Sequence, residues 1–309
     1  MKKISTFLFG LMLATTALAK EPLHLMLDWF INPNHAPIII AQQNGYFDKH
    51  GLEVTITEPS DPALPPKLVA AEKIDLAINY QQQLHLQIDE GLPISRVSTL
   101  IATPLNCVIV DAQSGIKQVS DLKGKKIGYS VAGVDEAVLQ SFLASGGLTL
   151  NDVKLVNVNF SLSPAVMSGQ VDAVIGAART VELHEMKAHN HEGRAFFLEE
   201  HGIPPFDELI FVAHNKHRHD EKIVKFNEAL TEAVHFIVNH PEEAWQKYIA
   251  YKKGLDDAVN QQAWKDSLTR FALRPAALDD RRYQNYAQYL HQIGLIKKIV
   301  PVSEYAVQP

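Results

Sequence analysis

Short apolar runs alternate with segments whose apolar residues recur every three or four positions, which is the pattern of strands followed by helices. After the first twenty residues this pattern predicts strands over residues 23–29, 52–57 and 74–79, with helices over 36–48 and 61–72 between them. About a hundred residues later the same order returns. Strands are predicted over 125–130, 153–158 and 171–175, with helices over 134–144 and 163–168. The chain therefore contains two copies of one βαβαβ pattern.

The two copies also match residue by residue where the second helix meets the third strand. Residues 73–78 (KIDLAI) and 170–175 (QVDAVI) each read polar, β-branched, Asp and then three apolar residues, at a constant offset of 97. A buried parallel strand entered from a helix gives a similar pattern by itself. Together with five elements in the same order, the match favours two similar lobes over one large doubly wound sheet.

Two further strands are predicted outside the copies, over 106–110 and 207–213, one before the second copy and one after it. Such a pair lets the chain cross between lobes and return. The remainder reads as helices, with an apolar stripe from Ile223 to Ile237, a helix starting at Pro241, and helices over 264–273 and 281–293. The prediction is a two-lobed α/β fold with a double crossover. Lobe I comprises residues 20–109 and 213–309, including the C-terminal helices, and lobe II comprises residues 110–212.

Composition narrows the class of protein. The 309 residues carry 29 Lys and Arg against 35 Asp and Glu, a formal charge of −6, whereas nucleic-acid binders need a basic face. The single cysteine, Cys107, excludes an internal disulfide, a cysteine-rich zinc site and an iron–sulfur cluster. Neither nucleic acid nor a metal cluster is an expected partner.

The first nineteen residues have the pattern of a secretory signal. Lys2 and Lys3 precede an apolar run over 7–14, and Ala17-Leu18-Ala19 is a small-x-small cleavage site. Cleavage after Ala19 leaves 290 residues with a net charge of −8. No cysteine follows the apolar run to receive a lipid, and no later stretch reaches the length of a membrane span. The mature chain is expected to be exported and acidic, without membrane insertion.

A two-lobed α/β protein binds its ligand where the carboxyl ends of parallel strands face the gap between the lobes. The loops there are predicted over 28–37, 79–83, 103–106, 130–136 and 176–179. They carry aromatic rings, acids and amides, and no Lys or Arg before Arg179. This composition suits a flat, neutral or donor-rich ligand that stacks on rings and donates to carboxylates. The alternative is that the aromatic residues belong to the core and the acids are helix caps.

Other candidate chemistry is weak. The groups His184, His189, His191 and His214, His217, His219 resemble metal-ligand sets, but neither has helical i, i+4 spacing in a cleft loop. We expect these histidines on the surface. The sequence has no Gly-x-Ser-x-Gly elbow, P-loop or Gly-x-Gly-x-x-Gly fingerprint. No catalytic apparatus is therefore predicted.

One segment resembles a known family. Residues 27–54 read LDWFINPNHAPIIIAQQNGYFDKHGLEV. They are similar to the opening of periplasmic substrate-binding proteins for thiamine precursors, the ThiY-like group, and of the related fungal pyrimidine synthase. Further matches are SDLKGKKIGY at 120–129, VDAVIGA at 171–177 and the strand at 207–212. The D-W-x-x-N-x-x-H-x-P core is specific to the pyrimidine branch, whereas nitrate, taurine and sulfonate binders share the D-L-K-G-K-x-I-G run.

The resemblance implies a type II periplasmic-binding-protein fold, monomeric and without a cofactor, that closes like a clamshell and delivers its ligand to the permease and ATPase of an ABC importer. The implied ligand is a formylamino- or aminomethyl-substituted aminopyrimidine. Trp29 and Tyr80 would stack on the ring, and Glu208 would accept from the aminopyrimidine edge. The implied ligand-binding residues are Asp28, Trp29, Asn34, His35, Asn79, Tyr80, Asn106, Asp135, Glu136 and Glu208.

Two alternatives stay open. The fungal synthase consumes its own pyridoxal phosphate, held by a lysine together with a histidine, and this sequence has Asn79 and Gln83 in the corresponding loop. The synthase also has a cysteine cluster where residues 206–211 here contain none. Both departures argue against synthesis, although His35 remains. The second alternative is a sulfonate, nitrate or similar ligand on the same fold, for which Arg179 would supply the cation.

Overall fold

The structure is a computed structural model that describes residues 19–309, so the predicted signal sequence lies outside the described residues apart from Ala19. Its strands are β1 Glu21–Met26, β2 Leu52–Thr57, β3 Leu76–Asn79, β4 Ile94–Ile101, β5 Asn106–Asp111, β6 Lys126–Tyr129, β7 Lys154–Asn157, β8 Ala173–Ala178, β9 Gly193–Phe197 and β10 Leu209–His214.

The helices surround these strands. They are α1 Ala36–Gln43, α2 Tyr46–Lys49, α3 Pro65–Ala70, α4 Gln81–Asp89, α5 Val134–Ala144, α6 Leu162–Met167, α7 Glu182–Ala188, α8 Glu221–Asn239, α9 Pro241–Tyr251, α10 Ala258–Ser267, α11 Asp280–Gln292 and α12 Val302–Tyr305. None of the helices in the described part of the chain is both long and apolar enough to cross a membrane.

The strands form two five-stranded sheets with the same plan. Their orders are β2-β1-β3-β10-β4 and β7-β6-β8-β5-β9. In each sheet the three strands of one βαβαβ copy are parallel, the fourth strand is antiparallel to them, and the fifth is antiparallel to the fourth and so runs in the same direction as the first three. The fourth place in each sheet belongs to a crossover strand, β10 in the first and β5 in the second. The predicted two-lobed architecture with a double crossover is confirmed.

The matching aspartates of the two copies have the same role. Asp75 accepts a hydrogen bond from the backbone N–H of His24 at 2.7 Å, and Asp172 accepts one from that of Lys126 at 2.8 Å. Each carboxylate therefore ties the entry of the third strand to the start of the first strand beside it. This shared contact explains why an acid recurs at the offset of 97.

The lobe boundaries differ from the predicted ones. The chain changes sheets in residues 102–105, between β4 and β5, and in residues 198–208, between β9 and β10. The predicted limits at 109 and 212 fall inside β5 and β10. The reason is that both crossover strands are buried apolar runs, so hydrophobicity alone does not show to which sheet they pair.

Several predicted elements were wrong in their limits. The helix predicted over 36–48 is two helices, because Gly45 adopts φ +68° between α1 and α2, a conformation that interrupts a helix. The strand predicted over 171–175 runs to Ala178. The helix predicted over 264–273 begins at Ala258, where Asp257 accepts from the N–H of Asn260 as an N-cap. Five of the elements named above were not predicted, namely β4, α4, α7, β9 and α12.

The C-terminal helices do not belong to lobe I alone. α8 and α9 contribute Phe226, Leu230 and Tyr248 to the core of the first sheet. α11 spans both lobes, since Tyr283 lies in a cluster with β3 and β10 whereas Tyr286 and Leu290 lie in the core of lobe II. The lobes are therefore joined by two crossovers and by one helix packed against both.

Candidate ligand-binding site

A cavity of about 380 Å³ lies between the two lobes, within the range typical of small-molecule sites. We call it the central cavity. It is lined from lobe I by the loop after β1, by Tyr80 after β3 and by the start of α10, and from lobe II by the end of β8 and by α7. The crossover residues Leu105, Asn106 and Glu208 complete it. The predicted strand ends therefore converge on one space.

Most of the predicted ligand-binding residues line the central cavity. These are Asp28, Trp29, Asn34, His35, Tyr80, Asn106 and Glu208. Asp135 instead lines a smaller void of about 20 Å³ that also borders Trp29, Tyr80, Asn106 and Glu208. A void of this size holds about one water molecule. Asp135 thus lies behind the cavity wall rather than on it.

Asn79 and Glu136 line neither space. Asn79 is fully buried, and its Nδ2 donates to Oε1 of Gln87 on α4 at 2.9 Å. Glu136 turns back and accepts from the backbone N–H of Gly133, as a cap of α5. Local hydrogen-bond partners hold both side chains away from the cavity, which the sequence pattern did not reveal.

Asp28, His35 and Tyr80 form a hydrogen-bonded group at the loop after β1. Asp28 Oδ1 accepts from Nε2 of His35 at 2.9 Å, and Asp28 Oδ2 accepts from the hydroxyl of Tyr80 at 2.7 Å. Nδ1 of His35 accepts from the backbone N–H of Asn32 at 3.3 Å, so the proton of the neutral ring lies on Nε2. Burial and the neighbouring Asp28 raise the pKa of Tyr80 well above its usual range. Tyr80 is therefore fixed as a donor, and its ring is oriented.

The aromatic residues connect the lobes. The ring of Trp29 lies 4.7 Å from that of Phe160 in an edge-to-face arrangement, and Phe30 lies 4.6 Å from Phe160. Phe160 follows β7 in lobe II, so these contacts cross the gap at the edge of the cavity. Phe30 remains 48% exposed. Trp29 is therefore part of a lobe-to-lobe contact as well as a cavity wall.

Asn34 also joins the lobes. Its Oδ1 accepts from the hydroxyl of Thr180 in lobe II at 3.2 Å and from that of Ser267 on α10 at 2.8 Å. All three side chains are buried. Nearby, Nε2 of His184 on α7 lies 2.7 Å from Oδ2 of Asp266 on α10. The structure therefore has its lobes in contact beside the cavity.

Glu208 is held by the first crossover. Its Oε2 accepts from the backbone N–H groups of Leu105 and Asn106, at 2.5 and 2.8 Å. Among the described residues no hydrogen bond uses its other oxygen, Oε1. Burial raises the pKa of Glu208 to about 7, against the lowering effect of those two N–H donors. Glu208 thus presents one free oxygen to the cavity and is about half protonated at neutral pH.

Sequence reasoning missed one wall of the cavity. Glu182, Glu185 and His189 recur at i, i+3 and i+7 on α7 and line the cavity, as do Asp257 and Asn260 at the start of α10. The third strand of the second copy was predicted to end at 175, and no helix was predicted after it, so α7 was missed. The i, i+3, i+7 spacing of these side chains is nevertheless visible in the sequence. The prediction of surface histidines is wrong for His214, which is buried, whereas His189 is exposed and also borders the cavity.

The lining contains no Lys or Arg among the described residues, but it contains five acids. Arg179 lies outside it, paired with Glu199 at 2.7 Å and stacked over the ring of Phe197 at 4.1 Å. Within residues 19–309 no three His, Cys, Asp or Glu side chains are grouped as metal ligands. The arrangement is suited to a ligand rich in N–H donors or carrying positive charge.

The buried acid behind the cavity gives a pH prediction. Burial raises the pKa of Asp135 from 3.8 to about 7, although Oδ2 accepts from the N–H groups of Ser130 and Val131. A raised pKa gives stability that is complete below the unfolded value and is lost as the pH rises through about 7. Asp135→Asn keeps an acceptor for both N–H groups and stays neutral. We expect its free energy of unfolding to exceed that of the wild type increasingly from pH 5 to pH 8, by more than about 1 kcal/mol at pH 8.

Urea unfolding at four pH values checks this difference. The exposed Glu200, which lines no cavity, provides a control as Glu200→Gln, expected to differ from the wild type by the same amount at every pH. A difference between Asp135→Asn and the wild type that is constant or shrinks with rising pH would contradict the prediction.

The sequence is similar to proteins of one known family. The chain matches the family described as NMT1/THI5 like over residues 32–244. It is 52% identical to a putative thiamine biosynthesis protein of Haemophilus influenzae, covering 98% of this chain and 97% of that one. It is 30% identical to the formylaminopyrimidine-binding protein of Halalkalibacterium halodurans, covering 81% and 77%. A more distant relative, 26% identical over 88% of this chain and 84% of its own, is the 4-amino-5-hydroxymethyl-2-methylpyrimidine phosphate synthase of Aspergillus parasiticus.

Solved structures share the fold. The alkanesulfonate-binding protein SsuA of Xanthomonas axonopodis superposes with a TM-score of 0.73 at 16% identity, covering 94% of this chain and 99% of that one. A Candida albicans protein described as having the generic periplasmic binding protein structural fold gives a TM-score of 0.70 at 18% identity, covering 94% and 97%. At these identities the likeness concerns the fold alone. The chain has the periplasmic-binding-protein fold, and by its sequence it belongs to the NMT1/THI5-like family.

Proposed function

We propose that this protein is the periplasmic solute-binding component of an ABC importer and that it binds an aminopyrimidine precursor of thiamine between its lobes. In this proposal the lobes close around the ligand, present the closed form to a permease with its ATPase, and carry out no chemistry. Export through the signal sequence would place the mature chain in the periplasm as a monomer. The names of two relatives, a thiamine biosynthesis protein and a formylaminopyrimidine-binding protein, agree with this ligand class.

The observation that carries the proposal is the free oxygen of Glu208 in a cavity walled by Trp29 and Tyr80. An aminopyrimidine presents an N–H donor beside a ring nitrogen that accepts. The free oxygen of Glu208 matches the donor of that edge, since a carboxylate oxygen accepts from the amine. With a pKa near 7, Glu208 exchanges between the two protonation states at neutral pH without a large cost. The flat ring of the ligand also buries apolar surface against the rings of Trp29 and Tyr80.

The lobe-to-lobe contacts support closure as the mechanism. Asn34 bonds across the gap to Thr180, and the Trp29–Phe160 ring pair crosses it. Both contacts involve residues of the loop after β1, which also forms the cavity floor. A ligand that orders this loop would therefore favour the closed form over an open one.

A sulfonate or another small anion fits the cavity poorly. An anion site gains its affinity from Arg or Lys side chains, and the described lining has neither. Arg179, the cation that such a site would need, is paired with Glu199 and lies over Phe197. The similarity to alkanesulfonate-binding structures therefore concerns the scaffold, and the cavity favours a different ligand.

A pyrimidine synthase of the fungal type fits the cavity no better than an anion-binding protein does. A synthase of the fungal type needs a lysine to hold pyridoxal phosphate, and the corresponding positions here are Asn79, buried against Gln87, and Gln83. Of the lysines that precede this loop, Lys49 pairs with Glu232 at 2.7 Å and Lys67 lines a groove elsewhere. Neither lies at the central cavity, and Cys107 is fully buried. We therefore derive no step through this cofactor.

Calorimetric titration of residues 20–309 tests the proposal. We expect a formylamino- or aminomethyl-substituted aminopyrimidine to bind with a Kd of about 10 μM or tighter, which corresponds to roughly −7 kcal/mol. An alkanesulfonate serves as the ligand control and is expected not to bind. Affinity no better than millimolar for both pyrimidines, or sulfonate binding that Arg179→Ala abolishes, would contradict the proposal.

A further inference from the structure

We propose that the central cavity selects a ligand whose substituent ends in a protonated primary amine, which Glu182 binds with Glu185 and Asp257 beside it. This inference rests on the proposed function, because the amine is taken to be the substituent of an aminopyrimidine. It chooses the aminomethyl compound over the neutral formylamino compound, and so it separates this protein from the specificity that the name of its Halalkalibacterium relative states.

The first argument is a largely buried acid with one oxygen that has no protein partner. Glu182 is only 7% exposed and lines the cavity. Its Oε2 accepts from the backbone N–H of Ala178 at 2.7 Å. No hydrogen bond among the described residues involves its other oxygen, Oε1. Because Glu182 is largely removed from water, its unpaired oxygen is available to a donor of a ligand in the cavity.

The second argument is the charge of the surroundings. On α7 the neighbours of Glu182 at the cavity are Glu185 and the exposed His189. Every charged side chain that lines the cavity from the other elements is an acid, namely Asp28, Glu208 and Asp257. The nearest guanidinium, Arg179, is neutralised by Glu199. Such a lining stabilises a cationic substituent, and an ammonium group is the cation that the aminomethyl compound carries.

The third argument concerns the proton that the empty site holds. Burial and the nearby Glu185 raise the pKa of Glu182 to about 8, so the empty site is mostly protonated at neutral pH. An ammonium group replaces that proton, since it stabilises the carboxylate form. The cavity thus exchanges one positive charge for another, at little electrostatic cost. A formylamino substituent is neutral and cannot make this exchange.

Titrating the wild type and Glu182→Gln with both pyrimidines tests the inference. The wild type is expected to bind the aminomethyl compound at least about tenfold more tightly than the formylamino compound, as one charged hydrogen bond allows. Glu182→Gln still offers an oxygen to the N–H of Ala178. It is expected to lose about 10- to 100-fold in affinity for the amine and less than about threefold for the formylamino compound.

Proton release gives a second, independent readout. Calorimetry at pH 7 in two buffers of different ionisation enthalpy measures the protons released per ligand. On binding the amine, the wild type is expected to release at least about half a proton more than Glu182→Gln does, because the ammonium group displaces the proton that the empty site holds. With the formylamino compound the two proteins are expected to release the same number.

Two further variants make the test decisive. Glu200→Gln, an exposed acid that lines no cavity, is expected to leave both affinities unchanged. Glu185→Gln leaves the Glu182–Ala178 bond intact, and we expect it to lower only the affinity for the amine, by about threefold to tenfold. If neither pyrimidine binds the wild type, the proposed function fails. If both bind equally, or the formylamino compound binds more tightly, that function stands and the ammonium site is overturned.

Discussion

Replacing Glu208 by Gln is expected to weaken aminopyrimidine binding by about 100-fold, or about 2.7 kcal/mol, without destabilising the protein. The Gln oxygen can still accept from the N–H groups of Leu105 and Asn106, so the crossover keeps its hydrogen bonds. The amide nitrogen then takes the place of Oε1 in the cavity. It donates where the ligand amine also donates, so the bond to the ligand is lost and a buried donor is left unpaired.

Calorimetric titration at pH 7 measures the loss, and urea unfolding measures the stability. Glu136→Gln is the matched control, because it makes the same chemical change at an acid that caps α5 and lies outside the cavity. We expect its affinity to stay within about twofold of the wild type. Equal affinities for the Glu208 variant and the wild type would show that this carboxyl group does not contact the ligand.

The sequence alone predicts best those parts of the fold whose contacts occur in both lobes. Asp75 and Asp172 recur because each lobe ties its third strand to its first in the same way, so the duplication is visible at single residues. The crossover strands β5 and β10 are visible as apolar runs. Their pairing depends on antiparallel partners far along the chain, so their assignment to a sheet was wrong by several residues.

For the site, the sequence shows which loops meet but not which side chains turn inward. Trp29 lies in the loop after β1, Tyr80 directly follows β3 and Glu208 directly precedes β10, and all three line the cavity. Asn79 at the end of β3 and Glu136 in the first turn of α5 are instead held by Gln87 and by the N–H of Gly133. Whether a polar side chain is free to bind a ligand or is bonded to a local partner depends on its neighbours in three dimensions, which the sequence does not show.

One buried charge escaped the sequence reasoning entirely. Arg96 on β4 is fully buried, and its guanidinium donates to the carbonyl oxygens of Pro275, Ala276, Ala277 and Val307 and to the hydroxyl of Thr99. No carboxylate contacts it directly among the described residues. Val307 returns a backbone hydrogen bond to the carbonyl of Arg96 at 2.9 Å. One side chain therefore fastens two distant stretches of the C-terminal region onto the sheet of lobe I.

Arg96→Met is expected to lower the free energy of unfolding by about 3–5 kcal/mol, a large share of the roughly 5–15 kcal/mol typical of a protein. Methionine fills a similar length but donates nothing, so the carbonyl oxygens lose their partner in a site closed to water. Urea unfolding at pH 7 measures the change. Arg194→Met is the control, since among the described residues the half-buried side chain of Arg194 donates only to the carbonyl of Ile116, and its loss is expected to cost at most about 1 kcal/mol. Equal losses for the two variants would show that the buried guanidinium is not the fastening group. Hydrogen exchange should locate the effect of Arg96→Met first at the backbone N–H of Val307, because that group bonds to Arg96 itself.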